Sequence, residues 1–205
     1  RLKIATICAK KEPLEVIKQM GLFRLVTEQA YFDLICACIR AKPSQMISHL
    51  SNFTFKDPIL LKKLALFCAQ KYPLITAQFF PILNLTQESD RIEVALLCTK
   101  TEEAVAPHIH RFNIKNQEAL CEILKRLISN SCYLPEAQIL ETMSSLNLES
   151  EQDRYEIALI CAQIDGNYTS KHIEKFQITD PEKLYKIACA AVSSNSFMVN
   201  QNLQK

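Results

Sequence analysis

The sequence predicts an all-α protein, an α/α solenoid (superhelix) of HEAT-like two-helix repeats, and three recurring features predict it. The first is a motif of the form F-x-I. It appears as Phe23-Arg24-Leu25, Phe53-Thr54-Phe55, Leu83-Asn84-Leu85, Phe112-Asn113-Ile114, Leu146-Asn147-Leu148 and Phe176-Gln177-Ile178. Successive first residues, here called anchors, are 30, 30, 29, 34 and 30 positions apart. Self-similarity at such a period is the signature of a stacked repeat architecture. The second feature lies four residues after each anchor: Thr27, Asp57, Gln87, Asn116, Ser150 and Asp180. All but Gln87 are residue types whose side-chain oxygen accepts from an otherwise unpaired amide in the first turn of a helix. The third is a pair of apolar columns. Leu34, Leu64, Val94, Ile123, Ile157 and Ile187 stand eleven residues after the anchor, and Cys38, Cys68, Cys98, Leu127, Cys161 and Ala191 stand fifteen after it. Four residues apart, they share one helix face.

Each element of the repeat follows from these columns. A first helix, A, starts just after the cap; Asp57 and Asp180 are each followed by proline, which suits the first helical position because it has no N–H to leave unpaired. Small residues recur between the two columns (Ala5, Ala65, Ala95, Ala158 and Ala188), which lets neighbouring helices approach closely. Ile4 and Cys8 place an incomplete first copy of this face at the start of the sequence. Helix A ends at Glu12-Pro13, Lys42-Pro43, Tyr72-Pro73 and Leu134-Pro135, since proline disfavours helix in the residue before it. A second helix, B, then runs to the next anchor. Met20, Leu50, Phe80, Ile109, Met143 and Ile173, three residues before the anchors, complete an apolar stripe. The F-x-I link is expected to be extended and to plug the seam between helix pairs.

The count is six repeats plus a partial seventh in one domain spanning 1–205. The fifth carries about four extra residues around Ser129 to Pro135, as a further helical turn or a longer corner. A weak helix B is expected around Phe197. Neither end carries a polar capping repeat of the kind that closes a solenoid, so the sequence reads as a fragment of a longer protein.

Composition narrows the function classes. The 24 basic and 22 acidic residues give a net charge of +2, without the clustered cations that phosphate backbones require. Nucleic acid is therefore not the expected partner. No apolar run reaches the length of a membrane span, and the first residues are not a signal peptide. With only 2 glycines, Gly21 and Gly166, there is no phosphate-cradling loop. The 9 cysteines are an odd number, and five of them (Cys8, Cys38, Cys68, Cys98 and Cys161) fall on the apolar column. They read as reduced thiols in the cytoplasm or another reducing compartment, which also counts against glycosylation at the Asn52, Asn84 and Asn167 triplets.

Among chemistry-bearing residues, His49, His108 and His172 each stand four before an anchor. They form either a polar recognition ladder or a helix-edge position that tolerates half-buried rings. Lying in alternate repeats, they are too far apart to share a metal ion. His108 and His110 lack zinc-site spacing, and no Cys-x-x-Cys pair exists. Cys36, Cys121, Cys132 and Cys189 lie off the repeat column, without an identifiable catalytic partner. Lys62-Lys63, Glu102-Glu103 and Lys125-Arg126 read as solvated faces. No enzyme activity and no cofactor is expected.

The runs from Phe53 to Gln70 and from Phe176 to Ala190, with F-x-I, then D-P, then I-A-x-x-C-A or L-A-x-x-C-A spacing, resemble the tandem repeats of large proteins from chlamydia-like intracellular bacteria. Ile157 to Gln163 and Thr169 to Phe176 carry the nearest likeness. The resemblance covers nearly the whole chain and implies a bacterial effector or host-interaction protein, one secreted into a host cytosol. The residues themselves favour a protein or peptide partner, bound by helix B through His49, His108, His110, Arg111, Lys171, His172 and Lys175. A nucleic-acid-binding helical-repeat protein and an accessory spacer of a larger enzyme are the alternatives.

Overall fold

A computed structural model describes residues 1–50, 55, 57–100, 103–130 and 136–194. The described residues are all-helical, with no strand among them. They divide into two compact units, Arg1–Cys98 and Thr99–Lys205.

In the first unit the A helices are α1 (Leu2–Lys11), α3 (Glu28–Ala41), α5 (Pro58–Lys71) and α7 (Glu88–Cys98). The B helices are α2 (Pro13–Lys18), α4 (Pro43–Ser48) and α6 (Pro73–Phe79). Short 3₁₀ turns, Met20–Phe23 and Phe80–Leu83, carry α2 and α6 onward to their anchors. Each A helix packs on the next, α1 on α3, α3 on α5 and α5 on α7, while α2 packs on α4 and α4 on α6.

The second unit contains α8 (Gln117–Asn130), α9 (Glu136–Leu146), α10 (Glu151–Ile164), α11 (Gly166–Lys171) and α12 (Pro181–Ser194). Its A helices again pack in sequence, α8 on α10 and α10 on α12. Its B segments differ from one another. Glu103–Phe112 is 3₁₀ throughout, with Pro107 inside it; proline has no amide to donate, and its ring collides with the carbonyl an α-helix would place there. α9 is continuous α-helix. α11 is short and is followed by the 3₁₀ turn Ile173–Phe176.

The cap column forms as the sequence implies. Thr27 Oγ1 accepts from Ala30 N at 3.2 Å, Asp57 Oδ1 from Ile59 N at 2.8 Å, Asn116 Oδ1 from Ala119 N at 2.9 Å, Ser150 Oγ from Asp153 N at 3.3 Å and Asp180 Oδ1 from Glu182 N at 2.8 Å. The two apolar columns are buried after each of the six anchors. Burying a leucine or isoleucine there stabilises the fold by about 1.5–3 kcal/mol each. The alanines between the columns reach zero exposure at Ala5, Ala65, Ala95 and Ala158, whereas Ala188 on α12 is half-buried.

Ile4 and Cys8 depart from their expected place. Ile4 is 63% exposed, and Cys8 is exposed too, while Ala5 and Ala9 on the other face are fully buried. The column eleven and fifteen residues after an anchor is buried in the later A helices, which follow another A helix in the sequence. α1 packs on α2 and α3, and its buried residues are Ala5 and Ala9.

The A–B corner is tighter than a linker. One residue closes helix A and opens helix B. The amides of Glu12, Lys42, Tyr72 and Asp165 donate to the carbonyls of Cys8, Cys38, Cys68 and Cys161, at 2.7–3.1 Å. Their own carbonyls accept from Val16, Met46, Thr76 and Thr169. Proline follows three of these corners; Gly166 follows the fourth. A Cβ on Gly166 would lie 2.2 Å from the Ala191 carbonyl oxygen. That close approach of α11 to α12 explains the substitution of glycine for proline.

The F-x-I link is not uniformly extended. Its middle residue is left-handed wherever it is described: Arg24, Asn84, Asn113, Asn147 and Gln177 have φ of 46°, 48°, 49°, 50° and 50°. Asparagine tolerates this conformation better than most residues, and three of the five are asparagine. Thr54 and Phe53, like Cys132, the extra residues at 131–135 and the Phe197 region, lie outside the described residues.

Candidate interaction surface

Two sets of polar residues cross the seams between repeats. The first set ties link to helix. Glu28 Oε2 accepts from Asp57 N at 3.1 Å, Gln117 Oε1 from Glu149 N at 3.1 Å, and Glu151 from Asp180 N at 3.2 Å and Thr179 Oγ1 at 2.9 Å. These hydrogen bonds hold the Glu151 carboxyl below its usual range, the Thr179 hydroxyl contributing most. Arg154 fans its guanidinium over two links. It donates to the carbonyls of Leu148 and Glu149 at 2.7 Å each, and to those of Phe176 and Gln177 at 3.0 and 3.3 Å. Arg91, in the same column of its repeat, donates to Leu85 and Thr86 carbonyls at 3.2 and 2.7 Å.

The second set lies along the A helices. Lys62 of α5 bridges to Asp90 and Glu93 of α7 at 2.8 and 2.7 Å. Hydrogen bonds to these two carboxylates push its pKa up to about 12. Lys125 of α8 bridges to Glu156 of α10, and Lys183 of α12 approaches Glu151 of α10 at 3.8 Å. Arg126 pairs with Glu122 at 2.6 Å within α8. Lys62, Lys125 and Arg126 are therefore engaged in ion pairs and are not simply solvated, as their doublets had suggested.

Between α8 and α10 these pairs line an open polar cleft of about 720 Å³, bounded by Asn116, Glu118, Cys121, Glu122, Lys125, Arg126, Asp153 and Glu156. The sequence reading missed it. The available signal was the column ten residues after the anchor, where Glu93 and Glu156 both stand.

The seven candidate contact residues divide between the units. In the first, His49 is half-buried and follows the last turn of α4. In the second, His108, His110 and Arg111 come together on the 3₁₀ segment. His108 is half-buried; burial first, then the charge of Arg111 and His110, lowers its pKa and favours the neutral ring. His110 and Arg111 are exposed. Lys171 and Lys175 are exposed on α11 and the turn after it. His172 is half-buried, its ring centroid 4.3 Å from that of Tyr168. The three histidines of the column thus share one environment, a half-buried edge, while the lysines, Arg111 and His110 project outward.

Most of the described thiols are buried. Cys36, Cys38, Cys68, Cys98, Cys121 and Cys161 are buried free thiols. Burial pushes the Cys36, Cys38 and Cys121 pKa values up to about 11 and Cys98 up to about 12. The thiolate is the reactive form, and it is scarce at neutral pH in every one of these four. Cys189, like Cys8, is exposed. Among the described residues no group of three His, Cys, Asp or Glu side chains is arranged to hold a metal ion, and no helix is long and apolar enough to cross a membrane. No family model, no curated protein and no solved structure matches the chain.

Proposed function

We propose that the chain is a non-enzymatic protein-interaction scaffold whose helix pairs stack as an α/α solenoid of the HEAT-like kind. The observation that carries this reading is the packing of each A helix on the next within each unit, with α2 on α4 and α4 on α6 alongside in the first. Such stacks bury a continuous core and expose long rows of equivalent positions to a partner. The partner is a protein or peptide, met in the second unit by the outward residues His110, Arg111, Lys171 and Lys175 and the half-buried His108 and His172, and in the first unit by the half-buried His49. The near-neutral charge balance supports protein over nucleic acid as the partner, and the buried free thiols support a reducing compartment. The likeness of the repeats to those of intracellular bacteria supports an effector or host-interaction role.

Affinity capture with the whole chain as bait, at low and high salt, tests this reading. A protein partner retained at high salt, and lost from the His110→Ala/Arg111→Ala/Lys171→Ala/Lys175→Ala variant, is the expected result. Capture of nucleic acid that disappears at high salt would overturn it, because such binding is dominated by phosphate contacts.

A further inference from the structure

We draw no further inference here: the strongest candidate, the polar cleft between α8 and α10, carries nothing because its two cations are already paired with Glu122 and Glu156, and the remaining carboxylates, Glu118 and Asp153, form an acidic cluster with no second feature that points to a ligand.

Discussion

The two units share a fourteen-residue form of helix A and differ in their B segments. α3, α5, α8, α10 and α12 each have fourteen residues and bury the same two columns. In the first unit α2, α4 and α6 all open on proline after an uncapped corner residue. In the second unit one B segment is 3₁₀, one is continuous α-helix and one opens on Gly166 behind the Asp165 side-chain cap. The difference shows which constraint is stricter. A helix A packed between two A neighbours must fit on both faces, so its volumes and spacing repeat. A helix B has to reach the anchor from the corner, and several backbone paths do so.

If that is right, equivalent A positions should respond alike in both units. Leu64→Ala and Ile157→Ala should each cost about 3–4 kcal/mol in urea unfolding, as for fully buried large-to-small changes. Ile4→Ala, in the same column but exposed, should stay within about 0.5 kcal/mol. Unequal losses at Leu64 and Ile157 would break the equivalence of the two units. Gly166→Ala should come next, at about 3 kcal/mol, because the obstruction is Ala191 backbone and the added methyl overpacks the contact. Gly21→Ala meets nothing within 4 Å and should be neutral or stabilise by up to about 1 kcal/mol. A tolerated Gly166→Ala would mean that the second unit does not need its departure from proline.

Arg154→Met should cost about 2 kcal/mol by leaving carbonyls of two links without their donor. Since Arg154 reaches the link of the next repeat, its loss should speed amide hydrogen exchange near Phe176 as well as near Leu148.

The buried thiols add a pH dependence with a definite sign. The folded-state pKa of Cys38 and Cys98 lies above the ordinary value of 9.0, at about 11 and about 12 respectively. The folded state therefore holds these protons more tightly. The stability they contribute is complete below about pH 9 and is lost as pH rises from there through about 11 to 12. The decline between those values should be shallower in Cys98→Ala. At neutral pH a thiol reagent should label native Cys8 and Cys189 quickly, and Cys38, Cys68 and Cys98 only upon unfolding. The smallest effect belongs to the links. Arg24→Gly in the first unit and Gln177→Gly in the second should each gain about 1 kcal/mol by relieving a left-handed conformation. Asn84→Gly should gain less.

Much of the helix A layer was legible in the sequence because its determinants are local and repeated. A cap residue and two apolar residues four apart need no knowledge of tertiary structure, and Thr27, Leu34 and Cys38 are placed as those rules imply. The exposure of Ile4 was not legible, since a column says which face is apolar but not whether a neighbour covers it. The left-handed link residues left a trace in Asn84, Asn113 and Asn147, diluted by Arg24 and Gln177. The α8–α10 cleft was hidden for another reason. Lys125 and Glu156 are 31 positions apart, so their pairing depends on the register of two helices. Column position picks out His49, His108 and His172, while His110, Arg111, Lys171 and Lys175 follow only from their place on helix B; the structure separates the two sets by exposure, the latter outward and the column histidines tucked in.

The one-residue corner also determines where this architecture can change length. The fifth repeat is four residues longer than the 30-residue spacing. At each described corner one residue joins two complete helices, so length added there leaves both helices intact. A residue added inside a link would instead displace the left-handed residue and the cap that follows it from the anchor. Corners are therefore the places to graft a tag, a spectroscopic label or a foreign loop, and links are the places where a single inserted codon would disable the fold.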